Sequence, residues 1–371
     1  MTKSFQEAPV AVDAMGGDLG PKVVVEGCVR AAADLGISTI IVGKKEEIEA
    51  SLDSLGSKNN SKIQILHADD VITMEDSALV VLRSKPNSSI KKAFDLLKNQ
   101  EACAVLSPGN TGAVMAAGVV TVGTLSGIAR PAIATLIPRV STGPTVLVDS
   151  GATNDSRAFQ LSQFALMGSL YAEAALGYKN PKVGILSNGS EASKGTDITR
   201  AAHQILSEFT ELNFIGYVEG KDIGKNTVDV IVCDGFIGNI VLKTIEGTAQ
   251  LVFDCIKHYV EPSFRGKLGM LIAKPIFKKL MHEKLDPSEY GGAPLLGLNG
   301  VGIICHGSSN PKAIRNGIKI AKQFAEIDLT AQIEKALKEH PMTDGLGLVE
   351  DGIWAKLGER YEKRSAVKEA K

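Results

Sequence analysis

Six polar loops rich in glycine contain the side chains best suited to chemistry. Each follows a short apolar run that resembles a β-strand, and the loops are residues 13–18, 107–113, 149–154, 187–196, 233–239 and 306–309. Glycine lets the backbone turn sharply and expose its N–H groups, while Asn, Ser, Thr, Lys and His add side-chain donors. Where such a loop runs into a helix, the helix N-terminus also attracts an anion. The pattern therefore predicts an anion-binding site built from loops.

A structural interpretation competes with this one at every loop. Taken singly, a Gly/Asn/Asp cluster after a strand most often forms a helix-capping turn. A lone lysine such as Lys194 is usually a solvated surface charge, and His306 is more often a hydrogen-bonded structural residue than a catalyst. The functional interpretation depends on number, because we expect the six loops to converge on one edge of one sheet.

Several well-known catalytic motifs are absent from the sequence. No G-x-G-x-x-G follows a strand, which argues against a nicotinamide-binding site, and there is no G-x-S-x-G of a serine hydrolase. Residues 189–196 resemble a phosphate loop, but Lys194 precedes Gly195, the reverse of the Walker A order. Cys305 and His306 are neighbours on a strand and point to opposite faces, so they cannot readily pair as nucleophile and base. The loops therefore predict an anion-binding enzyme without a covalent nucleophile.

The apolar runs alternate with longer helical patterns almost from end to end. Predicted strands are Val10–Asp13, Thr39–Gly43, Ile63–His67, Ala104–Ser107, Ile133–Ile137, Thr145–Asp149, Val183–Ser187, Phe214–Val218, Val228–Cys233 and Val301–His306. Predicted helices are Lys22–Leu35, Lys44–Leu55, Ser89–Asn99, Thr111–Thr124, Phe159–Leu176, Gly195–Phe209, Asn239–Tyr259 and Lys312–Leu337. Continuous apolar runs are typical of parallel strands buried on both faces. The alternation predicts the α/β class, as a Rossmann-like α/β/α sandwich around a largely parallel sheet.

The composition excludes several classes of function. The 41 basic and 42 acidic residues nearly balance, which argues against general nucleic-acid binding. The five cysteines form no C-x-x-C pair and the six histidines lack metal-site spacing, so we expect reduced thiols, no metal and no cofactor. Residues 1–9 lack the apolar core of a signal peptide, and no run reaches the ~18 apolar residues of a membrane span. We therefore expect a cytoplasmic protein.

Residues 255–285 break the alternation, because they mix large apolar residues with lysines. The apolar side chains that we expect at a membrane surface are Leu268, Leu271, Ile272, Ile276 and Phe277. A basic amphipathic helical pair is typical of a peripheral contact with anionic lipid. It is equally typical of a dimer or core helix with solvated lysines. We interpret residues 1–340 as one α/β domain with this helical insert, and residues 341–371 as a charged C-terminal tail.

Taken in order, the loops resemble one family of enzymes. Residues 10–18 (VAVDAMGGD) resemble the opening of the bacterial phosphate acyltransferases, which act on acyl-acyl carrier protein. Similar segments follow at residues 83–89, 109–113, 130–132, 233–239, 242–243, 246–247, 290–297 and 306–309. Any one of these motifs is weak, but their common order is specific, and the resemblance covers about residues 8–335. It implies a fold similar to that of the isocitrate/isopropylmalate dehydrogenases.

The resemblance also implies an activity and its partners. The expected reaction is reversible transfer of a long-chain fatty acyl group from acyl-acyl carrier protein to inorganic phosphate, giving acyl-phosphate for phospholipid biosynthesis. A phosphate oxygen would attack the thioester carbonyl directly, without a cofactor. The resemblance further implies a homodimer that associates peripherally with the membrane, where a downstream glycerol-phosphate acyltransferase uses the product.

On this resemblance we hypothesise how the loops orient phosphate and stabilise the tetrahedral oxyanion. Lys194 would neutralise the phosphate or the oxyanion. Asn188 and Asn239 would supply further donors, and His306 would carry a proton. The phosphate- and substrate-binding set comprises Gly16, Gly17, Gly109, Asn110, Thr111, Gly112 and Ser308. The loop-shaping set comprises Asp13, Asp18 and Asp234, since a carboxylate that faces phosphate would repel it.

Three other classes of protein stay open. A phosphotransacylase that uses acyl-coenzyme A would share the chemistry. An NAD-dependent hydroxy-acid dehydrogenase would share the expected fold. A membrane scaffold that recruits carrier protein would bind it without turnover.

Overall fold

In the part of the chain that the structure describes, eleven strands form one sheet. The computed structural model describes residues 5, 7–73, 75–76, 84–140, 143–191, 193–280 and 286–339. The strands are β1 (Val10–Asp13), β2 (Thr39–Gly43), β3 (Ile63–His67), β4 (Ala104–Ser107), β5 (Ala132–Ile137), β6 (Thr145–Val148), β7 (Val183–Leu186), β8 (Phe214–Val218), β9 (Val230–Val232), β10 (Ala293–Leu296) and β11 (Val301–Ile304). Their order across the sheet is β3-β2-β1-β4-β11-β10-β5-β6-β9-β7-β8.

Two blocks of parallel strands run in opposite directions within this sheet. β3, β2, β1, β4 and β11 form the first block, and β6, β9, β7 and β8 form the second. Between them, β10 and β5 pair antiparallel with each other and with their outer neighbours. The carboxyl ends of the two blocks therefore point to opposite edges of the sheet. The prediction that all six loops share one edge is wrong.

The carboxyl ends of β4 in the first block and β9 in the second nevertheless lie at about the same level along the strand direction. Cross-strand pairs join Leu106 to Ile303 and Ile303 to Pro294, and they join Ala134 to Val148 and Val148 to Val232. The two sets meet at the centre of the sheet, because Leu295, next to Pro294, pairs with Ile133, next to Ala134. Leu106 is the last residue but one of β4, and Val232 is the last residue of β9. The loops after β4 and β9 thus begin near the same level and leave it in opposite directions.

Helices cover both faces of the sheet. They are α1 (Pro21–Leu35), α2 (Lys45–Ser54), α3 (Ser89–Lys98), α4 (Thr111–Thr121), α5 (Ala158–Leu176), α6 (Asp197–Glu208), α7 (Gly235–Val260), α8 (Phe264–Leu280), α9 (Pro311–Glu326) and α10 (Leu329–Glu339). One face packs against α1, α5 and α9. The other carries α3 and α4 over the first block and α7 over the second. Ile133 and Ile137 of β5 belong to these last two cores, so α4 and α7 lie on the same side of the sheet.

The predicted α/β class with a largely parallel sheet is confirmed, but one strand was missed. β10 has four residues, contains Pro294 and lies between Gly292 and Gly297, a composition that indicates a loop. It is a strand because β11 and β5 pair with it on both sides. That pairing is a long-range property, which local sequence does not display.

Several helices and strands begin or end at residues other than the predicted ones. The predicted helix Lys312–Leu337 is two helices, because Asp328 takes a left-handed φ of 49° between α9 and α10 and its Oδ1 accepts a hydrogen bond from the Ala331 N–H. The helix predicted from Gly195 starts at Asp197, since Gly195 has a φ of 84°. The last strand stops at Ile304, before His306.

α7 and α8 form a helical hairpin whose surface is largely exposed. The buried residues of α7 are Gly235 and Gly238 in its first turn, and no residue of α8 is buried. Leu268, Leu271, Ile272 and Ile276 are exposed on α8. Phe277, the fifth residue that we expected to contact a membrane, is half-buried and lines a groove between α8 and α7. None of the described helices combines the length and apolarity needed to cross a bilayer.

Three parts of the sequence-based predictions lie outside the described residues. They are residue 83 of one family-like segment, residues 281–285 of the helical insert, and the tail at 341–371.

Candidate functional site

The loops after β1, β4 and β11 meet at the carboxyl end of the first block. Asp13 is buried at the end of β1, where its Oδ2 accepts a hydrogen bond from Ser107 Oγ at 2.7 Å. Its Oδ1 accepts from the Met15 N–H at 3.0 Å. Burial raises the pKa of the Asp13 carboxyl, while the hydrogen bonds it accepts act in the opposite direction. Asp13 therefore holds the β1 loop to β4 from inside the protein.

Two glycines allow the β1 and β4 loops to touch backbone to backbone. A Cβ atom on Gly16 would lie 2.6 Å from the Gly109 Cα, closer than packed atoms approach. Gly17 lies against Gly307, whose carbonyl oxygen accepts a hydrogen bond from the Asp18 N–H at 2.9 Å. The Asp18 side chain itself is exposed. We call residues 13–18, 107–112 and 306–309 the first loop group.

The backbone N–H of Gly109 is already used inside this group. It donates to Ser107 Oγ at 3.0 Å, so Ser107 links Gly109 to Asp13. Donation from the Gly109 N–H to phosphate, as we expected, would require this bond to break. The amides of Thr111 and Gly112 differ, because they lie in the first turn of α4 and have no acceptor within the helix. These two amides are the donors that α4 offers to an anion.

Asn110 caps α4. Its Oδ1 accepts a hydrogen bond from the Ala113 N–H at 3.0 Å, and its Nδ2 donates to the Asp76 carbonyl oxygen at 3.2 Å. Both ends of the side chain thus have structural partners. Donation from the Asn110 side chain to phosphate, as we expected, would require the Asp76 bond to break.

His306 and Ser308 are exposed at the edge of the first loop group. His306 Nδ1 accepts a hydrogen bond from the Ser308 N–H at 3.2 Å and lies 2.8 Å from Ser308 Oγ. Because a backbone N–H can only donate, the neutral ring carries its proton on Nε2. His306 therefore offers a proton donor at Nε2.

Asp149 was not among the predicted site residues, yet its carboxylate accepts four backbone hydrogen bonds. Oδ1 and Oδ2 together receive the N–H groups of Ile133, Gly151, Ala152 and Thr153 at 3.0, 3.1, 2.9 and 2.8 Å. Burial raises the pKa of Asp149, and the four hydrogen bonds oppose that rise. One signal in the sequence could have identified it. Asp149 directly follows a buried strand (VLVD), much as Asp13 ends β1 (VAVD).

Asp234 fixes the start of α7 beside this carboxylate. Its Oδ1 accepts a hydrogen bond from the Phe236 N–H at 2.9 Å, which caps the helix, and its Oδ2 accepts from the Ser156 N–H at 2.7 Å. Asp234 thus joins the loop after β9 to the loop after β6.

The first turn of α7 is pressed against the Asp149 loop. A Cβ atom on Gly238 would overlap the Asp149 carbonyl oxygen. Asn239 is exposed and lies beside Gly151. A Cβ atom on Gly151 would lie 3.6 Å from the Asn239 Cβ. We call residues 149–156 and 234–239 the second loop group.

Lys194 and Asn188 lie in a separate loop, after β7. Asn188 Oδ1 accepts a hydrogen bond from the Gly195 N–H at 3.0 Å, and the Lys194 N–H donates to the Glu191 carbonyl oxygen at 2.9 Å. The Lys194 side chain is exposed and passes over the buried Gly189. Hydrogen bonds within the loop therefore hold its conformation, and the lysine charge faces solvent at the N-terminus of α6.

The two loop groups approach each other on one face of the sheet. Ala152 of the second loop group packs against the apolar core under α4, which includes Val114 and Ile133. Since α4 and α7 lie on this same face, the surface between their N-termini collects donors from both groups. We take this surface as the candidate active site.

The cysteines supply no activated nucleophile to this surface. Burial raises the pKa of Cys28 and of Cys305 to about 12. Burial, with the charges of Asp149 and Asp234, also raises the pKa of Cys233. A thiol that stays protonated at neutral pH is a poor nucleophile. Cys255 is exposed, but it lies on the hairpin and far along α7 from its first turn.

Comparisons with known proteins give one consistent family. A family model described as "Fatty acid synthesis protein" matches residues 8–332. A phosphate acyltransferase of Trichlorobacter lovleyi is 47% identical over 331 residues, which cover 89% of this chain and 95% of that protein. One from Pelotomaculum thermopropionicum is 44% identical over 89% of this chain and 95% of its own length.

Solved structures resemble the fold at much lower sequence identity. A phosphotransacetylase from Streptococcus pyogenes superposes with a TM-score of 0.59 at 17% identity, over 86% of this chain and 94% of that one. A 4-hydroxythreonine-4-phosphate dehydrogenase from Klebsiella pneumoniae has a TM-score of 0.50 at 12% identity, over 86% of this chain and 99% of that one. These two likenesses concern the fold alone.

Proposed function

This chain belongs to the phosphate acyltransferase family, and we propose that it transfers a long-chain fatty acyl group from acyl-acyl carrier protein to inorganic phosphate. The observation that carries the proposal is the 47% sequence identity with a phosphate acyltransferase over 89% of this chain. The phosphotransacetylase-like fold is compatible with acyl transfer to phosphate. The dehydrogenase-like neighbour supports extending the proposal to an isocitrate/isopropylmalate dehydrogenase-like arrangement of the sheet.

The proposed reaction needs no enzyme nucleophile. An oxygen of hydrogen phosphate attacks the thioester carbonyl carbon, and the tetrahedral intermediate then expels the carrier-protein sulfur. The proton of the hydrogen phosphate passes to the departing thiolate, so acyl-phosphate and free thiol are the two products. A thiol with a pKa of about 8.5 makes a fair leaving group. The buried cysteines described above are compatible with this direct attack.

The protein's part is to orient phosphate and to stabilise the oxyanion. The first loop group supplies the amides of Thr111 and Gly112 at the positive end of α4, with His306 Nε2 as a donor nearby. The second loop group presents Asn239 on the opposite side of the candidate site. One well-placed oxyanion donor contributes roughly 10²–10³ in rate, and orientation of the two reactants adds to this.

We expect phosphate-dependent release of thiol from a 16-carbon acyl-acyl carrier protein. A thiol reagent measures the release, and hydroxylamine traps the acyl-phosphate as a hydroxamate. The same assay with acyl-coenzyme A as donor separates the carrier-protein enzyme from a phosphotransacylase. Release that is indifferent to phosphate, or no release, would contradict the proposal and favour a scaffold or a dehydrogenase.

We further propose that the protein is a cytoplasmic homodimer that contacts the membrane peripherally through α8. The outer stripe of α8 exposes Leu271, Ile272 and Ile276 at 65, 74 and 73% of their surface. Lysines on the same helix would add attraction to anionic lipid. Exposed apolar residues of α7, such as Leu251 and Tyr259, offer a surface that a second copy would cover. At the membrane, the acyl-phosphate would pass to a glycerol-phosphate acyltransferase.

Replacing Leu271 and Ile272 together by glutamate should abolish flotation with vesicles that contain anionic lipid. Each buried side chain of this size contributes roughly tenfold to partitioning, and the two new charges repel the surface. Ile198→Glu, an exposed isoleucine of α6, is the matched control and should float normally. Unchanged flotation of the double variant with the oligomer intact excludes this stripe as the anchor. Loss of the oligomer, seen by light scattering, would show that the stripe is a subunit contact instead.

A further inference from the structure

An apolar groove follows α7 on the side that faces α8. Its volume is about 460 Å³, within the range of roughly 300–1,000 Å³ that is usual for small-molecule sites. Ile245, Thr248, Val252 and Ile256 of α7 form one wall, and Phe277 and Leu280 of α8 form part of the other. The lining offers almost no polar partner, so the groove suits a hydrocarbon and not a charged ligand.

The groove starts about one and a half turns along α7 from the second loop group. Asn239 in the first turn of α7 belongs to the second loop group, and Thr244 is the first groove residue along the helix. Five residues separate them, which is about 8 Å along the helix axis. Ile245 also packs against the core of the second block, so the groove rises directly from the sheet. From Thr244 to Ile256 it continues for about 18 Å.

The groove is long enough to hold the distal part of a fatty acyl chain. The hydrocarbon core of a bilayer is ~30 Å thick, so a single membrane-length chain spans about 15 Å. Such a chain, anchored at Asn239, would enter at Thr244 and pass Thr248. An 8-carbon chain spans about half that distance and would end near the entrance.

We propose that this groove binds the acyl chain of the thioester substrate, with the reacting carbonyl at the second loop group and the methyl end just beyond Thr248. The inference rests on the proposed function, because it takes acyl transfer as given. It explains why α7 carries the second loop group at one end and an apolar face along the rest. Each methylene that the groove buries tightens binding about fourfold, so the groove selects long chains over short ones. The outer stripe of α8 lies on a different side of that helix and stays available for another surface.

The test fills the groove at Thr248, about 14 Å from Asn239 along the helix axis. Thr248→Phe should lower the ratio of kcat/KM for 16-carbon over 8-carbon acyl-acyl carrier protein by roughly tenfold, because it displaces about two methylenes. Gln250→Phe adds the same ring to α7 outside the groove lining and should keep the wild-type ratio. Titration calorimetry with palmitate gives a second readout that does not require turnover, and Thr248→Phe should weaken this binding by a similar factor.

An unchanged ratio, or an equal loss with both chain lengths, overturns the groove as the acyl-chain site. A changed oligomer with an unchanged ratio would show that a second copy occupies the groove, and this also overturns the inference. If wild type shows no phosphate-dependent release with either donor, yet palmitate binding still depends on Thr248, the proposed function fails and the binding site stands.

Discussion

Replacing Gly238 by alanine should displace the start of α7 and inactivate the enzyme. The added Cβ would overlap the Asp149 carbonyl oxygen and lie 3.1 Å from Cys233 Sγ. The obstacle is backbone, and the four N–H groups bound to the Asp149 carboxylate hold it in place. Overpacking usually costs about 1–3 kcal/mol, and we expect the upper part of that range because no flexible side chain can move aside. Urea denaturation measures the loss.

Gly238→Ala should also lower the activity of the protein that remains folded. The first turn of α7 presents Asn239 to the candidate site, and a shift of 1 Å there is expected to cost on the order of 10²-fold in turnover. Gly247→Ala is the matched control in the same helix, because no atom lies within 4 Å of the added Cβ. It should leave activity intact and raise stability by about 0.5–1 kcal/mol. Wild-type stability and turnover for Gly238→Ala would show that the close contact has no role.

The strands were the most predictable part of the fold. β1, β2, β3, β4 and β8 coincide with their predicted bounds, because a strand buried on both faces needs a continuous apolar run. The direction of the second block was not predictable. It follows from β10 and β5, which reverse the sheet, and β10 becomes a strand only through its two neighbours.

The candidate site was predictable in residue types and not in the partners of those residues. Glycine, Asn and Ser at strand ends predicted loops with free amides, and Thr111 and Gly112 fit that expectation. Gly109 does not, because Ser107 takes its N–H, and this bond depends on how the β4 loop folds back on itself. Asp149 was missed because a carboxylate before Ser-Gly-Ala-Thr indicates an ordinary turn. Three of its four donors come from the turn itself, and only the Ile133 N–H depends on β5 lying beside β6.

Lys194→Ala should give the largest loss of activity among substitutions of exposed residues. Its loop is shaped by hydrogen bonds of its own, from Gly195 to Asn188 and from Lys194 to Glu191. The backbone should therefore survive removal of the side chain, and only the charge is lost. If that charge faces phosphate or the oxyanion, kcat/KM for phosphate should fall by roughly 10²–10³. Lys194→Arg keeps the charge and should restore part of the activity.

Whether Lys194→Ala changes kcat or KM decides which of the two anions, phosphate or the oxyanion, Lys194 stabilises. A raised KM for phosphate with normal kcat assigns the lysine to bound phosphate, whereas a fall in kcat assigns it to the transition state. Lys179→Ala is the control, since this exposed lysine precedes β7 at the opposite end of the strand. Near-normal turnover of Lys194→Ala at saturating phosphate, with KM also unchanged, would remove the lysine from the mechanism. The stabilising charge would then have to come from the N-termini of α4 and α7, the part of the site that the sheet topology already brings to one face.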